Sequence, residues 1–164
     1  MRGERTPSSK GHPAMTINFV DKHGGELLDM HSSRFRILED GSRTNHRLGI
    51  AEVWLAPGFT GPPQHLHRKH DETFFVLTGT AAFISGHDTH IVPAGQLVTA
   101  PIGTPHTFVN PDNDQEVTML FTSTPDLYIE YFRDLARLKP GPDGLNPADI
   151  AEVMKKYATE TWQP

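Results

Sequence analysis

Three histidines and one glutamate are spaced so that their side chains can meet on a metal ion: His65, His67, Glu72 and His106. In an extended strand successive side chains alternate faces, so His65 and His67 point the same way about 7 Å apart. At that separation two imidazoles can close on one ion with bonds of roughly 2.0–2.1 Å. The odd offset from His67 to Glu72 would put Glu72 on the opposite face of an unbroken strand. A turn or bulge over Arg68-Lys69-His70-Asp71 therefore intervenes, and Glu72 opens the next strand (Thr73 to Thr78) with Phe74 and Val76 beside it. Pro101-Ile102-Gly103-Thr104-Pro105 reads as a turn that delivers His106 onto a strand with Phe108 and Asn110 on its own face. A carboxylate facing into an otherwise apolar strand is costly without a cation or hydrogen bonds. That cost favours Glu72 as a ligand.

Three neutral imidazoles and one carboxylate around one divalent transition metal (Fe, Mn, Ni, Cu or Zn) leave a charge of about +1 and open coordination positions. Such a centre favours an anionic oxygen donor, such as an enolate or phenolate. Glu72 has a second possible role as the general base on a substrate hydroxyl. Phe74, Phe83, Phe108, Phe121 and Trp54 are candidates to line an apolar pocket for a flat or aromatic small molecule. The other histidines, His12, His23, His31, His46, His70, His87 and His90, read as solvated or hydrogen-bonded side chains. His70 falls in the connecting turn and reads as rim, and His87 in Ser85-Gly86-His87-Asp88 reads as an exposed hairpin loop.

Framing glycines and prolines give these ligands a family context. Gly58, His65, His67, Glu72 and Gly79 form one motif, and Gly95, Pro101, Gly103, His106 and Asn110 form another. Both resemble the two signature motifs of the cupin superfamily. The second matches at every position, and the first carries one extra residue between Gly58 and His65. At average residue usage the five fixed residues of the second motif coincide by chance at on the order of 10⁻⁷ per starting position. The resemblance, over roughly residues 48–122, implies a double-stranded β-helix with the metal inside, held by His65, His67, Glu72 and His106. The C-terminal extension is similar to that of small bacterial cupins related to the quercetin dioxygenase-like group. The leading expectation is a metal-dependent dioxygenase, an oxidoreductase acting on an enol- or phenol-bearing small molecule. The alternatives are a non-redox isomerase, lyase or polyketide cyclase using the ion as Lewis acid, and a metal- or ligand-binding protein without turnover.

The elements that must position these residues follow from turn signals and periodicity. Residues 1–14 read as a disordered leader, with Met15 an alternative start; 15–124 as the barrel; and 125–164 as helices packing on it. Ile17-Asn18-Phe19-Val20, Phe35-Arg36-Ile37-Leu38 and Leu48 to Leu55 read as strands, as do Ala81 to Ser85, His90 to Val92, Leu97 to Ala100, Thr107 to Asn110 and Val117 to Thr122. Short strands at this density predict an all-β jelly roll or closed antiparallel barrel. Thr124-Pro125-Asp126 reads as N-cap, N1 and first-turn acid of a helix carrying Leu127, Tyr128, Tyr131, Phe132, Leu135 and Leu138. Pro140-Gly141-Pro142 breaks it, and Asn146-Pro147 starts a second helix with Ile150, Val153, Met154 and Tyr157 on one stripe. These helices either pack on the barrel's outer face, cap its mouth or build the seam of a homodimer.

Composition bounds the remainder. A length of 164 residues suits one domain with a single core, and a net charge of -5 without any basic stripe argues against nucleic acid or an anionic membrane as partner. Without cysteine there are neither disulfides nor thiolate ligands. No apolar run approaches membrane-spanning length and the first residues lack the apolar core of a signal peptide, which predicts a cytoplasmic protein.

Overall fold

Inward and outward residues alternate along the longest strands, and in the structure, a computed structural model, this alternation builds two facing sheets. Residues 16–30, 32–139 and 145–164 are described. The expected leader, Met15, His12, His31 and the Pro140-Gly141-Pro142 break lie outside the described residues. The order is β1 (Glu26–Asp29), β2 (Ser33–Asp40), β3 (Gly49–Leu55), β4 (His65–His67), β5 (Asp71–Thr78), β6 (Thr80–Ser85), β7 (Asp88–Pro93), β8 (Leu97–Ala100), β9 (Thr107–Val109), β10 (Val117–Thr124), α1 (Leu127–Arg137), α2 (Pro147–Lys156) and β11 (Thr159–Thr161).

One antiparallel sheet has the order β1-β2-β3-β10-β5-β8. The opposite wall is made of β7-β6-β9 and of the pair β4-β11. A single antiparallel bridge between His65 and His106 joins these two pieces, with N–H to O=C distances of 3.0 and 2.9 Å. Two of the expected ligands thus stitch the wall together with their own backbones. Inward residues of the large sheet, including Phe35, Val53, Leu55, Phe74, Val76, Met119 and Phe121, are buried between the walls. Each contributes about 1.5–3 kcal/mol by leaving water. The architecture is the expected all-β jelly-roll barrel with C-terminal helices.

Three local expectations are corrected. Residues Ile17 to Val20 form no strand, and Ile17 and Phe19 are exposed; the edge beside β2 is taken by Glu26–Asp29 instead. The nearer segment wins because a short connection reaches the edge at less cost in chain entropy. The first helix starts at Leu127, with Asp126 as N-cap, because β10 continues through Thr124 in register with Asp71. Asp126 makes no side-chain cap; its Oδ2 lies 2.9 Å from Nδ1 of His46. On α1 the buried face is Tyr128, Ile129, Tyr131 and Phe132, while Leu127 faces out. The start of α2 agrees with expectation: Asn146 Oδ1 accepts from Ala148 N–H at 2.9 Å. Beyond α2 the chain adds β11, a strand unforeseen in the sequence, paired antiparallel to β4, which carries His65 and His67.

Candidate metal centre

Strand alternation brings the four expected ligands to one place. In β4 both His65 and His67 point inward and Leu66 does not, and a bend over Arg68 and Lys69 resets the phase so that Glu72, Phe74 and Val76 share the inward face of β5. Gly79 closes that strand with a positive φ of 76°, as its place in the motif requires. His106 arrives from the turn over 101–105, with Phe108 and Asn110 buried on its side of the strand. His65, His67, Glu72 and His106 are all at most 4% exposed.

The donor atoms converge. One candidate nitrogen from each of His65, His67 and His106 lies within 4.8 Å of the others. Glu72 Oε2 stands 3.1 Å from His106 Nε2 and 3.3 Å from His67 Nε2. Atoms bonded to one ion at roughly 2.0–2.1 Å sit about 2.9–3.4 Å from each other when adjacent, so these spacings suit a shared ion. The opposite ring nitrogens are tied down. His65 Nδ1 donates to the Pro63 carbonyl at 3.0 Å and His106 Nδ1 to that of Thr104 at 2.9 Å. His67 Nδ1 meets the hydroxyl oxygen of Thr159, in β11, at 2.9 Å. Each tether orients the ring and turns Nε2 toward the centre.

The electrostatics agree with an ion-binding site. Burial, reinforced by His106 and His67, lowers His65 to about 4. Burial also lowers His67, against the pull of Glu72. At neutral pH both rings are therefore neutral donors. For His106 burial acts downward, but the Glu72 carboxylate and the Thr104 carbonyl outweigh it and raise its pKa. Burial alone would raise Glu72; the surrounding imidazoles of His67, His106 and His70 overcome it and hold the carboxyl well below its usual range. A buried ionised carboxylate costs several kcal/mol unless it is compensated. Glu72 Oε1 and His67 Nε2 are nonetheless buried without hydrogen-bond partners among the described residues. A divalent cation would satisfy both, so the residues present fit a metal.

His70 is not rim. It is fully buried, its ring 4.1 Å from that of His67 and 4.7 Å from that of Tyr128, with Nε2 3.4 Å from Glu72 Oε1. The bend carrying it folds inward beneath α1, and no periodicity exists within a bend to signal this. His87 is exposed in its loop as expected, and His23 and His90 are exposed too.

Beside the centre lies a cavity of about 220 Å³, with His65 and Glu72 in its wall. Phe74, Phe108 and Phe121 line it as expected, joined by Phe35, Phe59, Tyr128, Tyr131 and Phe132. Two expected aromatics are elsewhere. Phe83 packs in the core against Phe74 and Phe108, and Trp54 lies on the outward side of β3 beneath the guanidinium groups of Arg34 and Arg36. Helix α1 thus supplies a wall of the cavity. Tyr128 and Tyr131 stack at 4.2 Å.

The barrel is similar to known proteins. A family profile described as Cupin domain matches residues 51–123, a span that contains both glycine-framed ligand segments. Over those residues the chain carries a cupin domain. KdgF from a Halomonas species is 21% identical with a TM-score of 0.59, covering 67% of this cupin and 94% of its own chain. A cupin-superfamily sugar phosphate isomerase from Silicibacter pomeroyi is 22% identical with a TM-score of 0.57, covering 65% and 75%. The polyketide cyclase RemF from Streptomyces resistomycificus is 21% identical with a TM-score of 0.58, covering 66% and 80%. Among curated proteins none matches this cupin by sequence. No helix among its described residues is long and apolar enough to cross a membrane.

Proposed function

We propose that this cupin is a metal-dependent enzyme acting on a small, largely apolar molecule that bears an enol or phenol oxygen. The observation that carries the reading is the position of Glu72, a carboxylate held ionised while it faces both the three imidazoles and an aromatic-lined cavity. A divalent ion held by His65, His67, Glu72 and His106 would supply a Lewis acid for a substrate oxyanion, or one-electron chemistry if it is Fe, Mn, Ni or Cu.

The chain's own residues do the remaining work. The aromatic walls exclude water and orient a flat substrate with its oxygen toward His65 and Glu72. Glu72, kept as carboxylate by its imidazole neighbours, accepts the proton from the substrate hydroxyl or from the carbon beside it. The reading favoured here is a non-redox isomerase, lyase or cyclase, in keeping with the isomerase and the polyketide cyclase among the structurally similar proteins. The dioxygenase reading uses the same cavity and the same base, and the metal separates the two. Metal analysis of protein purified without added metal tests this: stoichiometric Zn favours the non-redox reading, redox-active Fe, Mn, Ni or Cu the dioxygenase, and protein that binds none of these ions when they are supplied overturns both.

A further inference from the structure

His70 is the one buried histidine of the barrel whose two ring nitrogens both lack a hydrogen-bond partner among the described residues. The rings of His65, His67 and His106 are each anchored through Nδ1; that of His70 has no such Nδ1 tether and packs between His67 and Tyr128. An unsatisfied buried imidazole is expensive, and native interiors leave few such groups. Its Nε2 is aimed at Glu72 Oε1, 3.4 Å away, while the other oxygen of the same carboxylate faces His67 and His106. One donor atom from each of His67, His70 and Glu72 lies within 4.8 Å of the others, the same tolerance that gathers His65, His67 and His106. Two triads therefore share His67, and Glu72 spans them with its two oxygens.

We propose that His70 is a ligand of the metal, and that the ion has two overlapping positions: an outer one on His65, His67 and His106 with Glu72, and an inner one on His67, His70 and Glu72. The proposal rests on the metal-enzyme reading above and deepens it. Of the exchanging residues, His65 lines the cavity and His70 does not. An ion held in the inner position would leave His65, the exchanging residue on the cavity wall, free of it, and would supply a coordination position for a substrate oxygen. No bond but metal–ligand bonds changes in this exchange, and the carboxylate of Glu72 stays with the ion throughout. Imidazole donors are the common currency of Zn, Co, Ni and Fe sites, so the ligand class is a divalent first-row ion.

Cobalt(II) and zinc(II) are the probes. Metal-free protein is titrated with Co²⁺ while affinity and visible d–d spectrum are followed, for the parent, His65→Ala, His70→Ala and the double variant. With two positions available, each single variant keeps one ion with about tenfold weaker affinity or worse, the two spectra differ from each other and from the parent, and the double variant loses the site. Should His70→Ala bind Co²⁺ with the parent's affinity and spectrum, the proposal is overturned. A weakened affinity with an unchanged spectrum overturns it as well, since that is what a merely supporting residue gives. If His70→Ala does not fold, nitrogen NMR of the zinc-loaded parent decides: the His70 Nε2 signal moves to a metal-bound position, or it stays that of an N–H or free ring and the assignment fails. A parent that binds neither ion defeats the metal reading itself, an outcome distinct from the failure of His70 alone.

Discussion

The hydroxyl oxygen of Thr159 lies 2.9 Å from Nδ1 of His67, so the last strand among the described residues sets the ring of a candidate ligand 92 residues before it. For His67 to present an Nε2 lone pair to a metal, its proton must sit on Nδ1, and the Thr159 oxygen then accepts it. The hydroxyl's own hydrogen has the Tyr157 carbonyl at 3.4 Å. Three backbone pairings between β11 and β4 hold the two side chains in register.

Thr159→Val keeps the shape of the side chain and removes the acceptor. It should weaken Zn²⁺ binding by roughly 10–100-fold, the usual cost of losing an outer partner of a ligating histidine, whereas Thr159→Ser should bind nearly as the parent does. Isothermal titration of metal-free protein checks both, and equal affinity for the valine variant would remove Thr159 from the centre.

Metal binding should be linked to one proton near neutral pH. His106 has its pKa raised above 6.5, since the carboxylate of Glu72 accepts from its Nε2–H at 3.1 Å. In the metal-free protein this pairing stabilises the fold fully below 6.5 and is lost as pH rises through the raised value. A metal takes the seat of that Nε2 proton, so its affinity should fall as pH drops through the same range, with a slope of about one proton per ion. His65, lowered to about 4, and His67, also lowered, have no proton to give up at neutrality. Titrations in buffers of different ionisation enthalpy count the released protons; zero or two would contradict this distribution.

Glu72→Gln separates binding from chemistry. The variant keeps the size and one oxygen donor but loses the charge. It should fold, retain a measurable share of metal through the histidines, and turn over an enol or phenol substrate 10²–10⁴-fold more slowly, the range for a general base. Parent-like turnover with metal in place would move the proton acceptor elsewhere.

Asn110 should matter for stability and not for metal. Its side-chain amide donates to the carbonyls of Leu55, Ala56 and Gln115, and its Oδ1 accepts from Asp112 N–H. It ties the end of β3 to the loop before β10 and touches no ligand. Asn110→Ala should cost about 2–3 kcal/mol in denaturant unfolding, because buried carbonyls lose their donor. Metal stoichiometry should stay at the parent's value.

Much of the centre was legible in the chain because it depends on local rules. The i, i+2 spacing puts His65 and His67 on one face, the odd step to Glu72 demands a bend, and a glycine at position 79 closes the strand with positive φ. The same alternation marks β2, β3, β5 and β10. What the tertiary structure alone decided has no local period to reveal it. His70 lies in the connection between β4 and β5, where nothing alternates, and its ring is packed between His67 and Tyr128 of α1. Thr159 belongs to a three-residue strand, Thr-Glu-Thr, with no apolar pattern, and it becomes a strand only because β4 offers it an open edge. Sequence by itself determined which side chains face inward; which distant segments meet them depends on pairings across the barrel, whose partners lie too far apart along the chain for any local pattern to record.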